Sequence, residues 1–303
     1  MLRKLIIAVA VIAVLGGVAF WLLTIPQTVS AAALSPHRPD LANGRTMFIA
    51  GGCSGCHASA GEDKTRLGGG LALKSPFGTF YVPNISPDRR DGIGAWSEAD
   101  FVTALTKGTS PDGRHYYPAF PYTSYQLMRS DDLRDLFAYL KTLPAVSGAA
   151  RDHELRFPFG FRRAVGLWKL FYLDGKPFAP DPAKSAQLNR GAYMVEGPGH
   201  CAECHSPRNF MGGIIAAQRF AGGPNPEGKG WIPNITQKAL GDWSEKDIAY
   251  LLETGQTPDG DSVGGSMSEV VRHIAQLAPE DRAAIAAYVK SLPPVEGPKP
   301  TKK

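Results

Sequence analysis

The chain opens with a long apolar run that predicts a membrane-crossing helix. The run extends from Leu5 to Ile25 without a charged residue, and about 20 apolar residues in a helix span the hydrocarbon core of a bilayer. Arg3 and Lys4 precede it and favour a cytoplasmic N-terminus. We therefore predict a membrane anchor at residues 1–26. A cleaved secretory signal is the alternative, since residues 31–33 are three alanines, although the apolar cores of such signals usually have about 7–15 residues.

Beyond this run, apolar residues recur at helical spacing, and strand-like alternation is scarce. Leu133, Leu136, Phe137 and Leu140 follow one another at intervals of three and four, which places them on one face of a helix. A second stripe of the same kind comprises Ile285, Tyr288, Val289 and Leu292. We therefore predict an all-α fold.

The two stripes belong to an internal repeat with a period of about 150 residues. Pro-Asn-Ile occurs at 83–85 and again at 233–235, and Trp-Ser-Glu occurs at 96–98 and again at 243–245. Two copies at this period indicate tandem domains rather than a solenoid. We place the two domains at residues 39–146 and 185–294.

Each copy carries the same helix signals. A serine and an aspartate three residues later predict a capped N-terminus, and a glycine about ten residues further on predicts the C-terminus. These residues are Ser97, Asp100 and Gly108 in the first copy and Ser244, Asp247 and Gly255 in the second.

Residues 147–184 lie between the copies and repeat nowhere. Four phenylalanines, a tryptophan and a tyrosine occur from Phe157 to Tyr172, which is too aromatic for a flexible linker. We expect this segment to pack the two domains together. A docking surface for a partner or for the membrane is the alternative. Residues 295–303 form a short basic tail.

All four cysteines of the chain lie in two Cys-x-x-Cys-His motifs. The motifs comprise Cys53, Cys56 and His57 in the first copy, and Cys201, Cys204 and His205 in the second. This spacing is the attachment signature of c-type haem, in which the histidine binds the iron from one side. A zinc site or two redox dithiols would leave both histidines unexplained. We predict two covalently bound haem c groups in two cytochrome c-like domains that follow the transmembrane helix.

Charge and cysteine use suggest a compartment. The formal net charge is +5, without a dense Lys/Arg run interleaved with aromatic residues, so nucleic acid is not an expected partner. Haem attached through cysteine fits an oxidising compartment. We therefore expect a bacterial inner-membrane protein with its haem domains on the periplasmic side.

The sixth ligands of the two irons are expected to be methionines, because a thioether opposite histidine suits an electron carrier. Met47 and Met194 fall in the first helices of the copies, and Met211 follows its motif too closely. Met267 remains for the second haem, with His273 as an alternative ligand and a core role for Met267 as a third possibility. The position that matches Met267 in the first copy is Phe120, which cannot bind iron. Met128 is the candidate there, and His115 or an open position are the alternatives.

Three further elements resemble a known family. They are Gly-Ile-Gly-Ala-Trp-Ser at 92–97, Tyr-Pro-Ala-Phe-Pro-Tyr at 117–122 and the Phe-Pro-Phe-x-Phe-Arg segment at 157–162. From about Asp40 to Pro294 the chain is similar to the cytochrome c subunits of membrane-bound alcohol and gluconate dehydrogenases. Those subunits typically carry three haem motifs, whereas this chain has two.

The resemblance implies a function in electron transfer. We expect a dehydrogenase as the donor and a quinone, a cytochrome or an oxidase as the acceptor, with no catalytic residue in this chain. One alternative is a haem enzyme of the di-haem peroxidase or thiosulfate dehydrogenase type. Another is the di-haem subunit of a terminal oxidase.

Overall fold

The computed structural model describes residues 1–61, 63–148, 151–225 and 230–299. Its first element is helix α1, Leu2–Leu23, none of whose side chains is buried. Among the described residues, α1 is the one helix that is long and apolar enough to cross a membrane by length and composition. The end of the predicted basic tail, residues 300–303, lies outside the described residues.

The two copies of the repeat contain most of the remaining helices. The first copy comprises α2 Leu41–Ala50, α3 Cys53–His57, α4 Glu98–Lys107, α5 Tyr122–Tyr125 and α6 Ser130–Leu140. The intervening segment contains α7 Val165–Tyr172. The second copy comprises α8 Ala186–Glu196, α9 Ala202–His205, α10 Gln237–Leu240, α11 Glu245–Thr254, α12 Ser266–Ile274 and α13 Pro279–Ser291.

The predicted helix signals are confirmed. Ser97 and Asp100 form a capping box at the start of α4, and Ser244 and Asp247 form one at the start of α11. Gly108 and Gly255 end these helices at φ values of 57° and 77°. Glycine reaches this left-handed region without the cost that a Cβ would impose.

In each copy the first helix crosses the last helix at a glycine. A Cβ on Gly44 of α2 would lie 2.1 Å from the Asp135 carbonyl oxygen in α6, and one on Gly191 of α8 would lie 1.9 Å from the Ala284 carbonyl oxygen in α13. Only glycine allows this close approach of two backbones. One core of buried residues extends through both crossings, from Met47 and Leu133 in the first copy to Met194 and Ile285 in the second.

The fold is mostly helical, as predicted, but it also contains short strands that were not predicted. Strands β1 Ala72–Ser75 and β2 Gly78–Tyr81 form an antiparallel hairpin in which Ala72 is opposite Tyr81. Strand β3, Glu154–Leu155, pairs with β2 and brings the inter-copy segment back onto the first copy. In the second copy, β4 Gly223–Pro224 pairs with β5 Trp231–Ile232.

The residue after α1 is held by the first copy and the inter-copy segment. Thr24 is fully buried. Its carbonyl accepts a hydrogen bond from His115 Nε2 at 2.9 Å, and its hydroxyl oxygen accepts one from Arg163 Nε at 2.7 Å. A Cβ on Gly166 of α7 would lie 2.6 Å from Thr24 Cβ. The end of α1 is therefore fixed against the globular part of the chain.

Lys169 of α7 completes this junction. Its ammonium group donates to the carbonyl oxygens of Lys107 and Gly108, each at 2.6 Å, and to His115 Nδ1 at 3.0 Å. The two carbonyls belong to the C-terminal end of α4, which attracts positive charge. Burial lowers the pKa of Lys169 to about 7.

We predict that Lys169→Met makes stability less dependent on pH above neutrality. An unfolded lysine titrates near its usual 10.5 and the folded one near 7, so between these values the unfolded chain binds more protons. The unfolding free energy of the unmodified protein should therefore rise with pH, by up to about 1.4 kcal/mol per pH unit, and this contribution should be absent from the variant. Denaturant unfolding of both proteins in detergent across this pH range measures the difference. Exposed Lys176 supplies the control, Lys176→Met, and equal pH dependence in all three proteins would contradict the prediction.

Candidate haem sites

Each Cys-x-x-Cys-His motif forms a short helix that directly follows the first helix of its copy. Gly51 and Gly52 join α2 to α3, and Gly52 adopts a φ of 54° that turns the chain. Burial raises the pKa of Cys53 and of Cys201 to about 12. The reactive cysteine of a redox dithiol usually has a lowered thiol pKa. The environment of these cysteines is therefore unlike that of a redox dithiol.

Both histidines of the motifs are held in the same way by a backbone carbonyl. His57 Nδ1 lies 2.9 Å from the Pro83 carbonyl oxygen, and His205 Nδ1 lies 2.8 Å from that of Pro233. Because a carbonyl only accepts, Nδ1 carries the hydrogen and Nε2 keeps its lone pair. Burial lowers the pKa of His57 to about 4 and also lowers that of His205. Two neutral imidazoles with a fixed tautomer are suitable ligands for iron.

The Pro-Asn-Ile triplets supply these carbonyls, a role that the sequence did not indicate. The asparagine after each proline fixes the loop: Asn84 Nδ2 donates to the Val146 carbonyl at 2.7 Å, and Asn234 Nδ2 donates to that of Val295 at 2.8 Å. Each asparagine thereby ties the loop to the chain that follows the last helix of its copy. Because the triplet occurs once in each copy, as the haem motif does, its recurrence could have indicated a contact with the histidine of that motif.

The partly exposed apolar residues of each copy also fit a haem. Apolar residues at matching positions of the two copies pack against the core and stay partly exposed. They include Ile85, Trp96 and Phe120 in the first copy and Ile235, Trp243 and Met267 in the second. A flat apolar ring would cover such surfaces. Paired cysteines, a neutral imidazole and an apolar wall are together the groups that haem c requires.

The candidate sixth ligands lie in different environments. Met267 is half-buried in the first turn of α12 and packs against the core. Met128 is 2% exposed and its Cγ lies 3.7 Å from the position of a Cβ on Gly197 of the second copy. In the second copy, Leu277 occupies the corresponding place before the last helix and is also buried. Packing alone accounts for the burial of Met128, so its ligation of iron stays a prediction.

The two histidines that are alternative ligands by sequence have other partners. Both ring nitrogens of His115 are engaged, Nε2 with the Thr24 carbonyl and Nδ1 with Lys169. His273 Nε2 lies 2.7 Å from Ser54 Oγ, within the motif of the opposite copy. His115 is therefore bonded to the residue that follows α1, and His273 is bonded to the first copy.

Both motifs lie at the contact between the copies. His273 of α12 reaches α3, where its Cε1 lies 3.3 Å from the position of a Cβ on Gly55. In the opposite direction, Ser124 of α5 donates to Glu203 Oε1 of α9 at 3.2 Å. Tyr125 packs edge-on against His200, the residue before Cys201, with ring centroids 5.6 Å apart. Each motif is thus covered by the helix that precedes the last helix of the other copy.

Glu203 is a charged residue at this contact. Its carboxylate accepts from Thr123 Oγ1 at 2.9 Å and pairs with Arg208 at 2.6 Å. Burial raises the pKa of Glu203, but Arg208 and Thr123 lower it by more, so the net shift is downward. The ionised carboxylate therefore holds α5 against α9 at neutral pH.

We expect Ser54 and His273 to be energetically coupled. Removing either partner leaves the other without its hydrogen bond, so Ser54→Ala and His273→Ala together should cost less than the sum of the single changes. The coupling energy should be about 1 kcal/mol, as for one buried hydrogen bond. A double-mutant cycle by denaturant unfolding measures it. In the matched control, His273→Ala is combined with Ser291→Ala, whose hydroxyl bonds within its own copy. A coupling energy near zero for the first pair would show that the contact contributes nothing.

Two helical copies, each with a cysteine pair and a neutral imidazole on one loop, define a c-type haem protein. A family model described as Cytochrome c matches residues 41–144 and 189–293. The chain belongs to the cytochrome c family. It carries two covalently bound haem c groups, one for each family segment.

Three relatives bear on the architecture. The chain is 47% identical over 299 residues to a protein of Cereibacter sphaeroides named diheme cytochrome c-type, and the match covers 98% of this chain and 100% of the relative. It is 42% identical over 255 residues to a nicotinate dehydrogenase subunit of Pseudomonas putida, with 83% of this chain and 21% of the relative covered. It is 36% identical over 274 residues to the fructose dehydrogenase cytochrome subunit of Gluconobacter japonicus, with coverages of 88% and 55%. The chain therefore spans the whole of the first relative but only part of the other two.

Proposed function

We propose that this protein is a membrane-anchored periplasmic cytochrome that carries electrons from a dehydrogenase towards the respiratory chain. The observation that carries the proposal is that both haem motifs lie at the contact between the copies. Gly51 lies two residues before Cys53, and a Cβ there would be 3.6 Å from the Pro198 carbonyl oxygen, three residues before Cys201. Contact between the segments that lead into the two motifs favours the passage of electrons from one haem to the other.

Each copy, at residues 39–146 and 185–294, holds its haem with its own residues. Cys53, Cys56, Cys201 and Cys204 would form the thioether bonds to haem, and His57 and His205 would bind iron through Nε2. Met267 and Met128 are the proposed sixth ligands. Bound haem supplies a one-electron ferric/ferrous couple. The protein holds the imidazoles in one tautomer through Pro83 and Pro233 and excludes water with the apolar wall, so that little has to move when the charge changes.

The contacts of α1 support an uncleaved anchor over a removed signal. A chain cleaved after residue 33 would lose fully buried Thr24 and its bonds to His115 and Arg163. It would also lose the bond from the Val29 amide to Thr103 Oγ1 at 2.9 Å. We propose that α1 spans the inner membrane and that both haem domains lie on the periplasmic side, where cysteine-linked haem is attached.

Two relatives support a dehydrogenase as the donor, since their names place them in nicotinate and fructose dehydrogenases. A quinone, a cytochrome or an oxidase in the membrane is the proposed acceptor. Catalysis at the haem is less well supported. His37, His153 and His200 are each held by a structural contact, with Asp135, with the Tyr81 amide and with the Pro198 carbonyl respectively.

Carbon monoxide distinguishes the carrier from the enzyme. If both irons have two protein ligands, the fully reduced protein should keep its visible spectrum under carbon monoxide. Redox titration should meanwhile show two one-electron steps. Rapid stoichiometric binding of carbon monoxide, or turnover of peroxide with an electron donor, would contradict the proposal and favour a haem enzyme.

A further inference from the structure

Five of the 14 phenylalanines of the chain are exposed, and four of them lie in the segment between the copies. The five are Phe157, Phe159, Phe161, Phe171 and Phe210, with exposed fractions from 44% to 98%. Large aromatic side chains seldom stay in water without a partner. We call these five residues, with Leu170 and Met211, the aromatic platform.

The platform is continuous with α1. Phe161 stacks on Phe20 of α1 with ring centroids 5.8 Å apart. The guanidinium group of Arg163 lies 4.2 Å from the ring centroid of Trp21 and donates to the Trp21 carbonyl at 2.8 Å. The platform therefore begins at the last turn of α1, at the level where a spanning helix leaves the hydrocarbon.

The platform extends across both copies as one connected surface. Phe159 packs edge-on against Phe77 of the first copy at 4.8 Å. Phe77 in turn faces Gly212, where a Cβ would lie 3.4 Å from its ring. Trp168 Nε1 of α7 donates to the Met211 carbonyl at 3.0 Å. These contacts fix Phe210 and Met211 of the second copy relative to Phe159 and Phe161.

We propose that the aromatic platform is inserted into the interfacial region of the outer leaflet, so that the haem domains lie directly on the lipid surface. Aromatic side chains are favoured at this depth, and exposed Arg156 beside Phe157 can reach lipid phosphates. The proposal rests on α1 being a membrane anchor, as proposed above. The platform is in contact with the last turn of α1. If α1 spans the membrane, a surface at that level also meets the bilayer, and we therefore propose lipid as the partner of the platform.

Site-directed spin labelling of the full chain tests the platform. Phe157→Cys and Phe210→Cys are labelled in vesicles of phosphatidylethanolamine and phosphatidylglycerol, and Tyr250→Cys is the matched control. Tyr250 is an exposed aromatic side chain of α11, 48% accessible and outside the platform. The unmodified protein should take up no label, because its four cysteines are proposed to be bound to haem as thioethers. The haem absorbance of each variant shows whether it has folded.

We expect labels at 157 and 210 to collide several-fold more often with oxygen, and several-fold less often with a water-soluble nickel chelate, than the label at 250. Equal exposure to the chelate at all three positions would overturn the proposal. Exclusion of both quenchers would also overturn it, because it would mean that protein covers the platform. Phe171→Cys provides a second test if either variant lacks haem.

A separate measurement distinguishes failure of the platform from failure of the anchor. Extraction of the membranes with alkaline carbonate should leave the haem-stained chain in the pellet if α1 spans the bilayer. Release of the chain would refute the anchor itself. Retention of the chain with water-exposed labels would refute the platform alone.

Discussion

Replacing Cys201 and Cys204 with alanine should reduce the haem content from two groups per chain to one. Each histidine is held by a proline carbonyl of its own copy, His57 by Pro83 and His205 by Pro233. The first site therefore needs no residue of the second motif for its ligand geometry. A pyridine haemochrome spectrum of the denatured protein, with absorbance per chain as the measure, counts the covalent groups.

The matched variant, Cys53→Ala with Cys56→Ala, should also retain one haem. Two haems in either variant, or complete removal of haem by acidified acetone from the unmodified protein, would contradict covalent attachment at these cysteines. If both variants lose all haem, the two copies do not fold independently.

Replacing Met267 with alanine should lower the reduction potential of one haem and remove its share of the weak red charge-transfer band of ferric His/Met haem. A thioether ligand stabilises the ferrous state, and axial ligands control potentials over a range of about 0.8 V. Met267→His should lower the potential as well, since imidazole stabilises the ferric state. Spectroelectrochemical titration of the full chain measures both potentials.

Met128 needs a gentler substitution, because alanine at a buried methionine costs about 2–5 kcal/mol through lost burial and the cavity left behind. Met128→Leu keeps the volume and reproduces Leu277, the corresponding residue of the second copy. If Met128 binds the first iron, the leucine variant should lose the other share of the red band. An unchanged band and unchanged potentials would show that Met128 only packs against Gly197.

The features that could be predicted from the sequence are those that depend on residues close together in the chain. The stripes of Leu133 and Ile285, the capping boxes of Ser97 and Ser244, and the haem motifs each rest on residues within one or two helical turns. The helix crossings could not be predicted, because no local pattern shows that Gly44 and Gly191 face the backbone of the last helix rather than solvent.

Contacts between distant parts of the chain account for most of what was missed. Ser54 and His273 are 219 positions apart, so no pattern within one copy joins them. The same holds for the bonds from His115 and Arg163 to Thr24. His115 therefore remained an alternative iron ligand, although its nitrogens are engaged elsewhere. The two short sheets have strands of only two to four residues, too few for alternation to be visible.

The contact between the copies is reciprocal, and this has a consequence for the symmetry of the chain. Ser124 and His273 occupy matching places before the last helix, and each reaches the haem motif of the other copy. Such an arrangement is that of an isologous two-fold interface, in which each partner offers the same patch. The two copies of the repeat therefore meet as the subunits of a homodimer do, within one chain. Because they belong to one chain, the halves can differ, and the glycine at 55 and the glutamate at 203 are one such difference.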